Sequence, residues 1–188
     1  MNTPLVSAAA ARPAGILKRS LAVGAAVLVV AGSAQVAVPV PLNPVPMTLQ
    51  PLAVLVVGGL LGPVAGATAL ITYLALGLLG MPVFAGGSAG FVHLIGPTGG
   101  YLLAFPAAAA VAGHAHRVSA GVGRVLLFCA LAMAVIHLGG TAHLALLGGN
   151  PAAAIRIGLV PFFTGDLLKV GLAAAVILGA GPKVRALL

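Results

Sequence analysis

Apolar residues run along this chain in long blocks, and the blocks are separated by clusters of proline and glycine rather than by charge. A membrane-crossing helix needs about 20 mostly apolar residues. The first block, Leu17–Val38, meets that length and carries Lys18 and Arg19 at its start, just after Arg12. With the small residues Gly32, Ser33 and Ala34 it also resembles a cleaved signal peptide. Its length, and the equally apolar sequence that follows, favour a membrane span. Pro39, Pro41, Pro44 and Pro46 then stop the helix, because each removes a backbone donor and fixes φ.

Apolar sequence resumes at Met47 and continues to Leu79, too long for one span and too short for two full ones. Gly62-Pro63 divides it into about 48–62 and 64–79, since glycine ends a helix and proline starts one. Gly58, Gly62 and Gly66 recur every fourth residue, a spacing that lets helices approach closely in lipid. A second glycine- and proline-rich stretch covers Gly80–Thr98. Further spans follow over about 99–115 and Val122–Leu147, and Gly148-Gly149-Asn150-Pro151 reads as a turn. The last span ends near Gly179, and its start depends on whether Pro161 kinks it or precedes it. The pattern predicts an all-α integral membrane protein with six transmembrane helices. Residues 1–16 form a cytoplasmic tail, 17–181 a single membrane domain and 182–188 a second cytoplasmic tail.

Composition narrows the class. Of 188 residues, 61% are hydrophobic and 5% charged, far too few charges to cover the exterior of a soluble domain. A soluble enzyme, a disordered chain and a disulfide scaffold are excluded, the last because Cys129 is the single cysteine. The net charge of +8 would suggest nucleic acid in a soluble protein. Here the basic residues are scattered and tryptophan is absent, so the expected surroundings are a lipid bilayer and not nucleic acid. With six spans and a cytoplasmic N-terminus, Arg12, Lys18, Arg19, Arg117, Arg124, Lys183 and Arg185 fall inside. Arg156 alone falls outside, and Lys169 lies within the last span. This is a strong positive-inside bias.

The candidate chemistry sits toward the outer side. The second outer connection is irregular yet apolar, with Val83, Phe84, Phe91, Val92 and Leu94. Irregular backbone at membrane depth is tolerated where it is buried in protein or lines a cavity, so these loops are expected to fold over an outward-facing pocket. The chain's only acid is Asp166, and the spacing of three to Lys169 sets both on one helix face. Charges inside a membrane usually mark a ligand or ion path. His114 and His116 read as headgroup-boundary residues. His137 and His143 are six apart and do not share a face, so no metal cluster is expected. The lysines follow Leu17, Leu168 and Pro182, so there is no phosphate-binding loop and no ATP hydrolysis by that route.

Four segments together carry a family resemblance: Pro44-Val45-Pro46-Met47-Thr48-Leu49-Gln50; Gly80-Met81-Pro82-Val83-Phe84-Ala85-Gly86-Gly87; Gly96-Pro97-Thr98-Gly99-Gly100-Tyr101-Leu102; and Pro161-Phe162-Phe163-Thr164-Gly165-Asp166-Leu167-Leu168-Lys169. In this order, over about residues 20–180, the chain resembles the BioY family of biotin-specific substrate-capture (S) components of energy-coupling-factor transporters. The resemblance implies a six-helix S-component fold in a bacterial-type cytoplasmic membrane, with biotin held near the outer face. It also implies partners: a transmembrane coupling subunit and two cytoplasmic ATPase subunits. Docking to the coupling subunit is associated in the family with Ala-x-x-x-Ala spacing on the first helix, which Ala22 and Ala26 match.

Biotin offers two ureido N–H donors, a ureido carbonyl, an apolar thioether and chain, and a carboxylate. A pocket for it needs an acceptor, donors, apolar walls and a cation. The expected assignment gives Asp166 a ureido N–H and Lys169 the carboxylate or carbonyl. Tyr101, Phe84 and the backbone at Gly86 and Gly87 close the walls, with Thr48 and Gln50 as polar contacts. Biotin is the ligand and no cofactor is expected. Two alternatives use the same residues. In a proton- or ion-coupled carrier of small carboxylates, Asp166 is the titrating group. In a structural membrane protein, Asp166 and Lys169 form an internal tie.

Overall fold

The computed structural model of the chain describes residues 13–116 and 121–188. Arg12 and Arg117 therefore lie outside the described residues, as does most of the expected N-terminal tail. The fold is mostly helical. Helix α1 spans Pro13–Gln35, three residues short of the sequence expectation at its C-terminal end. Instead of continuing the helix, Ala37–Val38 (β1) pair antiparallel with Met47–Thr48 (β2), in register Ala37 to Thr48 and Val38 to Met47. The intervening prolines cannot continue a helix, and a two-stranded clip satisfies the flanking backbone groups instead.

Helices α2 (Gln50–Leu61) and α3 (Pro63–Leu78) meet at Gly62. Gly62 sits at φ 85°, and its N–H closes α2 on the carbonyl of Gly58 at 2.9 Å. A left-handed residue immediately before a proline favours glycine, which has no Cβ to clash. The neighbouring glycines act by their size. A Cβ on Gly58 would strike the backbone carbonyl of Ala109 in α5 (Gly99–Gly113), and one on Gly66 would come within 2.9 Å of the Gly58 Cα. The four-residue glycine spacing thus lets α2, α3 and α5 pack backbone to backbone.

A short helix α4 (Val92–Ile95) lies in the second connection, and α5 leads into a 3-10 turn over His114–His116. Helix α6 runs Val122–Gly148. The expected turn after it has a clear construction. Gly149 is left-handed at φ 64°, the Asn150 side chain accepts from Ala153 N at 3.0 Å, and Pro151 opens α7 (Pro151–Gly158). The last helix, α8, spans Phe163–Leu187. Pro161 precedes it, so Asp166 falls in its first turn. Thr164 is not its cap; Phe162 occupies that position, without a side-chain hydrogen bond. At the other end α8 continues past Gly179 and through Pro182, a proline inside the helix.

Helix α5 packs on α6, α3 and α2, while α2 also packs on α8. The exterior is apolar, with Leu28, Ile71, Leu138, Leu146 and Leu167 all exposed. The only buried polar or charged side chains among the described residues are Gln50, Asp166 and Lys169. This inside-out distribution belongs to a membrane protein. Three helices, α1, α6 and α8, are long and apolar enough to cross a bilayer. At 1.5 Å per residue, α2, α3 and α5 reach only about 18–24 Å, short of a hydrocarbon core of about 30 Å.

Candidate functional site

The stretch 44–48, the second connection, the N-terminal parts of α2, α5 and α8 and the middle of α6 line a cavity of about 420 Å³, a size typical of small-molecule sites. Its walls are largely apolar, with Val45, Leu102, Phe105, Ile136 and Phe162 among them. Of the residues singled out from sequence, Asp166, Lys169, Tyr101, Phe84, Thr48 and Gln50 all line it. Gly86 and Gly87 do not. They are exposed at the tip of the second connection, at φ 68° and 69°, between the lining residues Ala85 and Ser88.

Asp166 and Lys169 lie one turn apart on α8, and the Lys169 Nζ donates to Asp166 Oδ1 at 2.7 Å. The other carboxylate oxygen, Oδ2, lies 2.6 Å from His137 Nε2 on α6. Side-chain exposures of 5% for Asp166, 8% for Lys169 and 12% for His137 make this a desolvated cluster. Buried charges persist only when paired and hydrogen-bonded, and here the acid is satisfied from two helices. An ammonium carries three donors, so Lys169 retains capacity beyond its bond to Asp166.

A second polar chain braces the opposite wall. Gln50 Nε2 donates to Tyr73 Oη at 2.7 Å, and that hydroxyl donates to the carbonyl of Val83 at 3.0 Å. Thr48 Oγ1 in turn accepts from Gln50 N at 3.3 Å. Beside Val83, the Phe84 ring is fully buried and edge-on to Tyr73, with centroids 5.6 Å apart. Tyr101 is fixed at its hydroxyl, which donates to the carbonyl of Gly158 at 2.7 Å. Its ring fits because residue 140 is glycine; a Cβ there would collide with it.

Sequence reasoning missed two members of this arrangement, His137 and Tyr73. Sequence proximity relates His137 only to His143 on its own helix, whereas its partner is 29 positions away on α8. The rule that an ionisable residue inside a membrane needs a partner, applied to His137 as it was to Asp166, would have found it. The remaining candidates lie elsewhere. His114 stacks on Phe128 with the Arg124 guanidinium over the same ring, at the end of the bundle away from the cavity. Cys129 is buried. No group of three metal-ligating side chains occurs among the described residues. On α1, Ala26 is buried in the core and Ala22 is half-buried; Ser20, Gly24, Ala25 and Gly32 are exposed small residues of that helix.

Comparison with known proteins gives concordant results. The family model of the BioY family matches residues 6–186. The chain is 41% identical over 138 residues to a probable biotin transporter BioY of Pyrococcus horikoshii, covering 73% of this chain and 81% of that protein. It is 37% identical over 139 residues to the biotin transporter BioY of Thermotoga maritima, covering 74% and 82% respectively. Among solved structures it resembles the S-component for biotin from an ECF-type ABC transporter, with a TM-score of 0.79 at 24% identity, over 90% of this chain and 93% of that one. The structural likeness is one of fold.

Proposed function

The chain belongs to the BioY family, and from that premise we propose that it captures biotin at the outer side of a bacterial-type cytoplasmic membrane as the substrate-binding component of an energy-coupling-factor transporter. It is a transport component and not an enzyme. The observation that carries the biotin reading is the Asp166–Lys169 pair, buried in the wall of a largely apolar cavity. Two apolar residues would be cheaper to bury there, so the pair is best explained by a ligand with polar ends and an apolar middle. Biotin is such a ligand. A free lone pair of Asp166 takes a ureido N–H, and the remaining Lys169 donors take the carboxylate or the ureido carbonyl. Phe84 and Tyr101 close the walls, Gly86 and Gly87 turn the loop that carries Phe84, and Thr48 and Gln50 supply polar contacts.

In the same reading, α1, α2, α3, α5, α6 and α8 make six crossings with both termini cytoplasmic. The outer side then carries Arg156, and Lys18, Arg19, Arg124, Lys183 and Arg185 lie inside, in keeping with the positive-inside rule. The partners are a transmembrane coupling subunit and two cytoplasmic ATPase subunits, and the absence of a phosphate-binding loop in this sequence suits that division. Docking uses α1 near Ala22 and Ala26; because Ala26 is buried, contact there falls on Ala22 and the exposed small residues beside it.

Thermal unfolding of the purified chain in detergent tests the assignment. Biotin should raise Tm progressively with concentration, because a ligand of the native state stabilises it by mass action. Lipoate, an apolar-chain carboxylate without a ureido ring, should have little effect. A folded protein whose Tm ignores biotin, or follows lipoate equally, overturns the biotin reading.

A further inference from the structure

His137 is the member of the buried cluster whose role is not explained by the ligand chemistry above. Its ring stands in the cavity wall between Tyr101 and Phe162, with centroids 6.3 and 6.4 Å away. A carboxylate only accepts, so the 2.6 Å contact with Asp166 Oδ2 requires a proton on Nε2. Nδ1 is enclosed and has no hydrogen-bond partner among the described residues.

Two forms of the ring have a proton on Nε2. In the neutral form Nδ1 carries a lone pair; in the imidazolium it carries a second N–H and the ring a full charge. An enclosed lone pair without a partner forfeits one ordinary hydrogen bond, whereas an enclosed charged N–H without an acceptor costs far more. The charge count agrees. Among the described residues, the titratable groups gathered around the ring are Asp166 and Lys169 from α8 and Tyr101 from α5. Asp166 and Lys169 cancel, so a charged His137 would leave a net positive charge in an apolar interior.

We propose that His137 is a positioning residue for the ligand site: as the neutral Nε2–H form it holds Asp166 Oδ2, so that Oδ1 keeps Lys169 against the wall with its remaining donors directed to the ligand. A carboxyl torsion is soft and roughly two-fold. Clamping its two oxygens from two different helices fixes it, as partners of metal-ligating side chains fix those ligands. The ligand arm of this inference rests on the biotin reading; the assignment of the ring does not.

The test uses the full chain in detergent, with His137→Gln and His137→Leu. A glutamine amide nitrogen reaches about as far as Nε2 and keeps the donor; leucine removes it. His137→Gln should bind biotin within about threefold of wild type, and His137→Leu at least about tenfold more weakly, the range for losing a hydrogen bond to a charged group. In ligand-free protein with 15N-labelled histidine, the resonance pair that disappears in His137→Gln should show a protonated Nε2 and an unprotonated Nδ1, and Asp166→Asn should shift it. Wild-type affinity in His137→Leu, equal losses in both variants, or a doubly protonated ring would overturn the proposal. Should His137→Leu fail to fold, the glutamine variant and the spectrum still decide. Should wild type ignore biotin, the ligand reading fails while the ligand-free spectrum still tests the ring.

Discussion

The side chain of Gln35, the last residue of α1, accepts a hydrogen bond from Gly87 N at 2.9 Å across a gap of 52 residues. Its amide also donates to the carbonyl of Phe84 at 3.2 Å. One side chain thus grips the backbone of the second connection at Phe84 and at Gly87, and joins α1 to the loop whose Phe84 ring lines the cavity. Gln35→Ala should weaken biotin binding by about two- to tenfold, mostly through faster release, the range for losing ordinary hydrogen bonds. Stopped-flow dissociation of the bound ligand checks this; an unchanged off-rate removes Gln35 from control of the loop.

Gly140 gives the Tyr101 ring its space. Gly140→Ala should displace that ring from the wall and strain its bond to Gly158. Overpacking of this kind costs about 1–3 kcal/mol. Both a lower Tm and weaker biotin binding are expected, whereas Tyr101→Phe should keep the packing and lose only the hydroxyl contact at 2.7 Å. Paired thermal and binding measurements on the two variants separate ring position from hydroxyl chemistry.

Gly58 differs, because neither it nor its contact Ala109 lines the cavity. A methyl group there meets the Ala109 backbone, which cannot move aside as a flexible side chain would. Gly58→Ala should lower Tm by an amount corresponding to about 1–3 kcal/mol, with biotin affinity of the folded fraction close to wild type. Equal loss of stability and affinity would show that helix packing and ligand site are not separable here.

The Asp166–Lys169 pair can be dissected by single and double changes. Lys169→Met leaves a buried carboxylate with His137 as its sole partner, and breaking such a pair costs about 3–5 kcal/mol. The double variant Asp166→Asn with Lys169→Gln removes both charges and should recover most of the ligand-free stability. It should not recover biotin affinity. Recovery of both would reduce the pair to an internal tie.

Much of the fold is legible in the sequence because the spacing of proline and glycine acts locally. Gly62-Pro63 and Gly149-Asn150-Pro151 mark helix ends that need no tertiary information. The end of α1 was less legible, since Ala37-Val38 is apolar enough to continue a helix and leaves it only because Met47-Thr48 offers a strand partner. The start of α8 is ambiguous for a similar reason: α7 is a separate helix fixed by the Asn150 cap, and the Asn43 amide, 114 residues away in sequence, donates to the Ile157 carbonyl at 2.7 Å. In the site, Asp166 and Lys169 stand out as rare charges three apart. His137 is legible only as an ionisable residue in an apolar helix that needs a partner; which partner it takes depends on the juxtaposition of α6 and α8, which neither segment encodes alone.

The most direct measurement is an isothermal titration of biotin into the purified wild-type chain and into Asp166→Asn in the same detergent. One biotin should bind per wild-type chain, and binding in the variant should be at least about tenfold weaker, as expected for losing a hydrogen bond to a charged acceptor. No binding by demonstrably folded wild-type protein, or equal affinity in the two, would contradict this.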